Sequence, residues 1–174
     1  MEYNEIIIRP VQLSDVKKIY EFRKKVVSET HYLITSPDEL PNYETLRRYV
    51  KIYITDPLRL HLVAEFDRKI VGEITMLIHE KKRMRHVAEF GISVLKDYWG
   101  VGIGKNLISN AIKWAITKKV TRIQLEVMKT NKRAIKLYEK FGFQIEGIKR
   151  NAVKINNRYI DLLIMGLLIA PERR

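Results

Sequence analysis

His86–Lys105 reads HVAEFGISVLKDYWGVGIGK. Its first part, His86 to Leu95, holds few strand-breaking residues and parses as a strand with Gly91 inside it. Glycines follow at alternate positions, Gly100, Gly102 and Gly104, and an amphipathic pattern then begins. A strand, a glycine-rich turn and a helix together aim unpaired backbone N–H groups at an anion, with the positive end of the helix dipole behind them. The stretch therefore points to a phosphate-bearing ligand.

Three patterns compete for it. A Walker A loop requires Gly five positions before Gly104 and Ser or Thr after Lys105, where this chain has Trp99 and Asn106. The dinucleotide fingerprint GxGxxG requires a glycine at Lys105, and here the strand lies mid-chain instead of opening a βαβ unit. The third pattern is Q/R-x-x-G-x-G/A. Trp99-Gly100-Val101-Gly102-Ile103-Gly104 meets both of its glycine positions and departs at the first residue. Downstream, the strand-like Ile123–Val127 is followed by Asn131, Ala134, Leu137-Tyr138 and Gly142-Phe143, a second motif in order. Together these motifs resemble the GNAT superfamily of acyl-CoA-dependent N-acyltransferases, nearest in look to its polyamine and ribosomal-protein branches. The resemblance spans about Ile6 to Ile169 and is most specific from Ala88 to Gly147.

The resemblance implies an α/β (α+β) fold, one domain over residues 1–174. A mixed sheet of about seven strands is flanked by about four helices, and the strands at 86–95 and 121–128 are splayed apart. It also implies acetyl-CoA as co-substrate. The turn Trp99, Gly100, Val101, Gly102, Ile103, Gly104 and Lys105 would cradle the pyrophosphate. Ile92, Ser93 and Val94 would bond the pantetheine arm along a strand bulged near Gly91, and Asn131 would lie on the cofactor side. Trp99 removes a side-chain donor from that cradle and leaves the backbone. Tyr138 matches the family's general acid for the CoA sulfur. It shares one helix face with Asn131 and Ala134, although a core tyrosine has the same spacing. Glu89 is the candidate base and Glu126 the runner-up; either also reads as a cross-strand ion-pair partner for the many cations. Specificity in this fold sits in the first two helices and their connection, Glu29 to Glu44, where Glu29 and Tyr32 are candidates for holding an ammonium through charge and cation–π contact.

Taken in order, Ile6–Pro10 is a strand. Ser14 caps a helix burying Val16, Ile19, Tyr20, Val26 and Val27, and Tyr43–Ile54 is a second helix. Strands are expected at Leu60–Phe66, Ile70–His79 and His86–Leu95. A helix from Gly102 buries Ile103, Leu107, Ile108, Ala111, Ile112, Ala115 and Ile116. Thr121–Met128 is reached by a crossover, and a hairpin closes around Asn156-Asn157. The order reads β-α-α-β-β-β-β then α-β-α-β-β, with the first run of strands open by one.

Composition narrows the function. The chain has no cysteine, which excludes disulfides and a Cys acyl-enzyme. This favours direct attack by the amine in a ternary complex, which the resemblance also implies. With MEYNEIIIRP unlike an export signal and no apolar run near ~20 residues, the expectation is a cytoplasmic protein without membrane contact. The four histidines show no metal-ligand spacing, so no metal is expected. The net charge of +13 is spread along the chain without a stripe of aromatics, and a nucleic-acid partner is therefore not expected. The one dense run, Lys81-Lys82-Arg83-Met84-Arg85-His86, falls on an expected hairpin turn. The leading reading is an N-acetyltransferase acting on the primary amine of a small molecule, with a homodimer possible. The rivals are transfer to a protein N-terminus of ribosomal type, and a non-catalytic acyl-CoA-binding or basic nucleic-acid-binding module.

Overall fold

A computed structural model describes residues 5–170. Met1–Asn4, which open the stretch expected not to be an export signal, lie outside them. The elements are β1 (Ile7–Pro10), α1 (Val16–Glu29), α2 (Tyr43–Thr55), β2 (Arg59–Phe66), β3 (Lys69–Ile78), β4 (Val87–Val94), α3 (Ile103–Thr117), β5 (Arg122–Met128), α4 (Lys132–Lys140), β6 (Gln144–Ile155) and β7 (Arg158–Leu168). The first run holds three strands, β2 to β4, not four. The sheet order is β1-β2-β3-β4-β5-β7-β6. β4 and β5 pair in parallel, as the intervening helix requires, while the β1–β2, β2–β3, β5–β7 and β6–β7 pairs are antiparallel. Among the described residues no helix is long and apolar enough to cross a membrane.

One compact unit comprises residues 5–77 and Gly91–Trp114. In it α1 buries Val16, Ile19, Phe22, Val26 and Val27; Phe22 takes the place expected of Tyr20, which is half-buried. Ser14 does not cap α1. Asp15 does the local work instead, accepting from the Gln12 N–H at 2.8 Å and pairing with Arg9 at 2.7 Å. The Asn42 side chain accepts from Thr45 N–H at 2.9 Å and opens α2. α3 lies close on β3 because Gly72 has no side chain. A Cβ there would stand 3.1 Å from Ile103 Cγ2, 3.3 Å from Val94 Cγ2 and 3.4 Å from Leu107 Cδ1. Beneath α1 the Glu73 carboxylate accepts two bonds from Arg23, at 2.8 and 3.1 Å, and meets His61 Nε2 at 2.8 Å.

The second unit comprises Ile78–Phe90 and residues 115–170. Here β5 pairs with β7 along its whole length, from Arg122↔Leu168 to Met128↔Leu162. The β4–β5 ladder holds only Val87↔Arg122, Ala88↔Ile123 and Glu89↔Gln124, although both strands run on. The last pair of that ladder is Glu89↔Gln124. Asn156 and Asn157 close the last hairpin at φ of 48° and 61°. The Ile116 side chain, expected in the core, is 44% exposed, because the buried stripe of α3 has turned away by its last turn.

Candidate active site

The glycine turn lies wholly within the first unit. After β4, Leu95 is tied to Val71 O by its N–H at 2.9 Å, and a 3-10 turn over Lys96–Tyr98 follows. Glu29, at the end of α1, accepts from the N–H of Lys96 at 2.9 Å and faces Lys25 at 3.4 Å. Glu29 was expected to hold substrate; in the structure its carboxylate is engaged in fixing the start of this turn. The Trp99 indole donates to Val94 O at 2.7 Å, binding the turn back onto the strand that leads into it.

Gly100 and Gly102 adopt φ of +83° and +91°, and nothing lies within 4 Å of a Cβ built on either. Glycine is needed there for its backbone conformation, over open space. α3 begins with Asn106 N–H bonded to Gly102 O at 3.0 Å. The N–H groups ahead of Asn106 have no acceptor within the helix, the condition for binding an anion at its N-terminus. Ile103 is 2% exposed and belongs to the core, while Val101 and Lys105 project into solvent. Ile92, Ser93 and Val94 are half-buried on β4, beyond the last pair with β5.

Tyr138 lies in the second unit, 7% exposed on α4. Its ring is edge-on to Phe90, with centroids 5.8 Å apart, and tilted against Phe143 at 6.0 Å; Phe90 and Phe143 are themselves 5.8 Å apart. Burial pushes its phenol well above the usual range. The hydroxyl bonds to none of the described residues, yet no buried side-chain polar atom among them lacks a partner. The small exposed area of Tyr138 therefore includes its hydroxyl. Asn131 opens α4, its Oδ1 accepting from Ala134 N–H at 3.2 Å, and so does the work of an N-cap.

Glu89 is exposed at the last β4–β5 pair, held by His79 Nε2 at 3.2 Å and by the Gln124 amide at 2.5 Å. Glu126 is bound by the Lys149 ammonium, the ion-pair alternative raised for it. Tyr32 is 42% exposed on the α1–α2 connection. Asp38 and Glu39 of that connection are used locally, Asp38 accepting from the Ser36 hydroxyl at 2.6 Å and Glu39 from the Ser36 N–H at 2.9 Å. Sequence reasoning missed the Trp99–Val94 bond, the aromatic pair around Tyr138, and the roles of His79 and Gln124. Only Phe143 carried a signal, as the end of the Gly-Phe motif.

Residues 25–143 match the Acetyltransferase (GNAT) family. An L-amino acid N-acetyltransferase of Escherichia coli (strain K12) is 36% identical over 106 residues, 60% of this chain and 65% of that protein. A spermidine N(1)-acetyltransferase of Vibrio cholerae is 26% identical over 169 residues, 95% of this chain and 94% of that protein. Among solved structures, an acetyltransferase of the same family from Streptococcus pneumoniae superimposes with a TM-score of 0.90 at 31% identity, covering 95% of this chain and all of that one.

Proposed function

The chain belongs to the Acetyltransferase (GNAT) family, and from that premise we propose that it transfers an acetyl group from acetyl-CoA to the primary amine of a small molecule by direct attack. The backbone N–H groups of residues 100–105 would hold the pyrophosphate. The pantetheine arm would bond to the β4 backbone at Ile92, Ser93 and Val94, where the pairing with β5 has ended. Those residues fit the group: two glycines at positive φ present open backbone at a helix start.

In the step itself the amine nitrogen attacks the thioester carbon, a C–N bond forms and the C–S bond breaks. Glu89 takes the proton that the amine sheds. The observation that carries the reading is the Tyr138 hydroxyl, unbonded within a buried aromatic setting and held protonated by burial. A thiol titrates near ~8.5, well below this phenol, so complete proton transfer from Tyr138 to the thiolate runs uphill. Tyr138 therefore acts chiefly by donating a hydrogen bond to the departing sulfur, and its proton moves across only as a proton is returned to it.

The names of the two relatives support a small amine as acceptor, in one an amino acid and in the other a polyamine. The test is CoA-thiol release over a panel of amino acids, polyamines and peptides with free N-termini. Turnover of a small amine is expected; turnover confined to peptides would replace the substrate class, and none at all would remove the catalytic reading.

A further inference from the structure

The expectation against a nucleic-acid partner rested on cations scattered along the chain, and the fold gathers some of them. The β3–β4 connection carries Lys81, Lys82, Arg83 and Arg85 on a 3-10 turn closed by Met84 N–H on Lys81 O at 2.8 Å. Arg85 is braced by its own bond to Glu80 O at 3.2 Å. The α3–β5 connection carries Lys118 and Lys119, the latter at φ 61°. Just beyond Val120, the N–H groups of Thr121 and Arg122 both donate to His86 O, at 2.9 and 3.0 Å. The two basic turns are thereby clamped side by side at one end of the sheet, within a single compact unit. All six cations are exposed. Among the described residues, Lys81, Lys82, Arg83 and Lys119 have no carboxylate in ion-pair contact.

We propose that this end of the sheet is a docking surface for the phosphate backbone of a nucleic-acid duplex, a role beyond the proposed acetyl transfer. Fixed cations on two adjacent turns suit a rigid array of phosphates, because each contact releases a condensed counterion from the duplex. Neither turn carries Phe, Tyr or Trp, so bases are not stacked and single strands are not preferred. Met84, 37% exposed, is the sole aliphatic side chain exposed among them, whereas a membrane-surface segment inserts a row of apolar residues. Phosphate contact alone, without reading of base edges, gives binding that is indifferent to sequence and steep in salt.

The test is fluorescence anisotropy with a labelled RNA hairpin between 50 and 200 mM salt. Wild type is compared with K82E/R83E/K119E and with a control of equal charge change, K24E/K51E/K113E, after confirming that all three melt alike. A milder K82A/R83A variant serves if the triple reversal does not fold. Wild type should bind at about 10⁻⁶ M at the lowest salt. The first triple should weaken binding at least tenfold and flatten the salt slope by about two to three, while the control changes little. Equal losses in both triples would reduce the effect to net charge and overturn the surface. So would binding to phosphatidylserine vesicles without binding to RNA.

Discussion

The indole N–H of Trp99 donates to the carbonyl oxygen of Val94 across 2.7 Å, where β4 gives way to the glycine turn. A residue that departs from the family's motif thus replaces a ligand-facing donor with an internal tether. Trp99→Phe keeps an aromatic ring and deletes the donor. It should cost about 1 kcal/mol in stability and weaken acetyl-CoA severalfold by calorimetry, since the turn is no longer held against its strand. Unchanged affinity would mean that the tether plays no part in shaping the cradle.

Tyr138→Phe tests the hydroxyl in isolation. The ring's contacts with Phe90 and Phe143 survive the substitution, so the melting temperature and acetyl-CoA affinity should stay near wild type. Because kcat loses one hydrogen bond to the leaving sulfur, it should fall about 10²–10³-fold at saturating acetyl-CoA. With its titration raised by burial, the phenol stays protonated through neutral pH, and wild-type kcat should show no alkaline loss from Tyr138 below about pH 10. Normal turnover in the Phe variant would return Tyr138 to the core.

Glu89→Gln removes the proposed base and keeps the shape. Its neighbours His79 and Gln124 can still bond an amide, so folding should be undisturbed. We expect kcat/KM to fall most at low pH, where neutral amine is scarce, with acetyl-CoA binding nearly intact. A silent Glu89→Gln alongside a damaging Glu126→Gln would move the role to β5.

Glu73 predicts how the fold fails in acid. Burial pushes its carboxyl up, but the charge of Arg23 and the bond from His61 outweigh it and bring the value to about 2. A carboxylate depressed in the folded state contributes stability that is complete above its unfolded value near ~4.5 and disappears as pH falls toward 2. The contribution is about 3 kcal/mol. Urea midpoints should fall across that window in wild type, and much less in Glu73→Gln, which starts lower because Arg23 is left without its partner. An equally steep fall in both proteins would place the acid sensitivity elsewhere.

Much of this was legible in residues 86–143. The alternate glycines, the Asn-to-Gly-Phe helix and the run of β-prone residues between them are local patterns, set by backbone conformation and helical period, and local patterns survive in a linear string. The parallel crossover followed from the same reading, whereas a splay between the strands at 86–95 and 121–128 was implied only by the family resemblance. What the string could not carry were contacts between residues far apart in it. Glu29 looked like a substrate ligand until α1 brought it 67 positions across to the Lys96 N–H. Gly72 gave no sign that α3 would rest on it, because the need for a missing side chain arises only when another element approaches. Charge shows the division most plainly. Its total is a property of composition, but whether cations repel, pair or accumulate depends on distances, and only the sheet sets the Lys81–Arg85 turn beside Lys118 and Lys119.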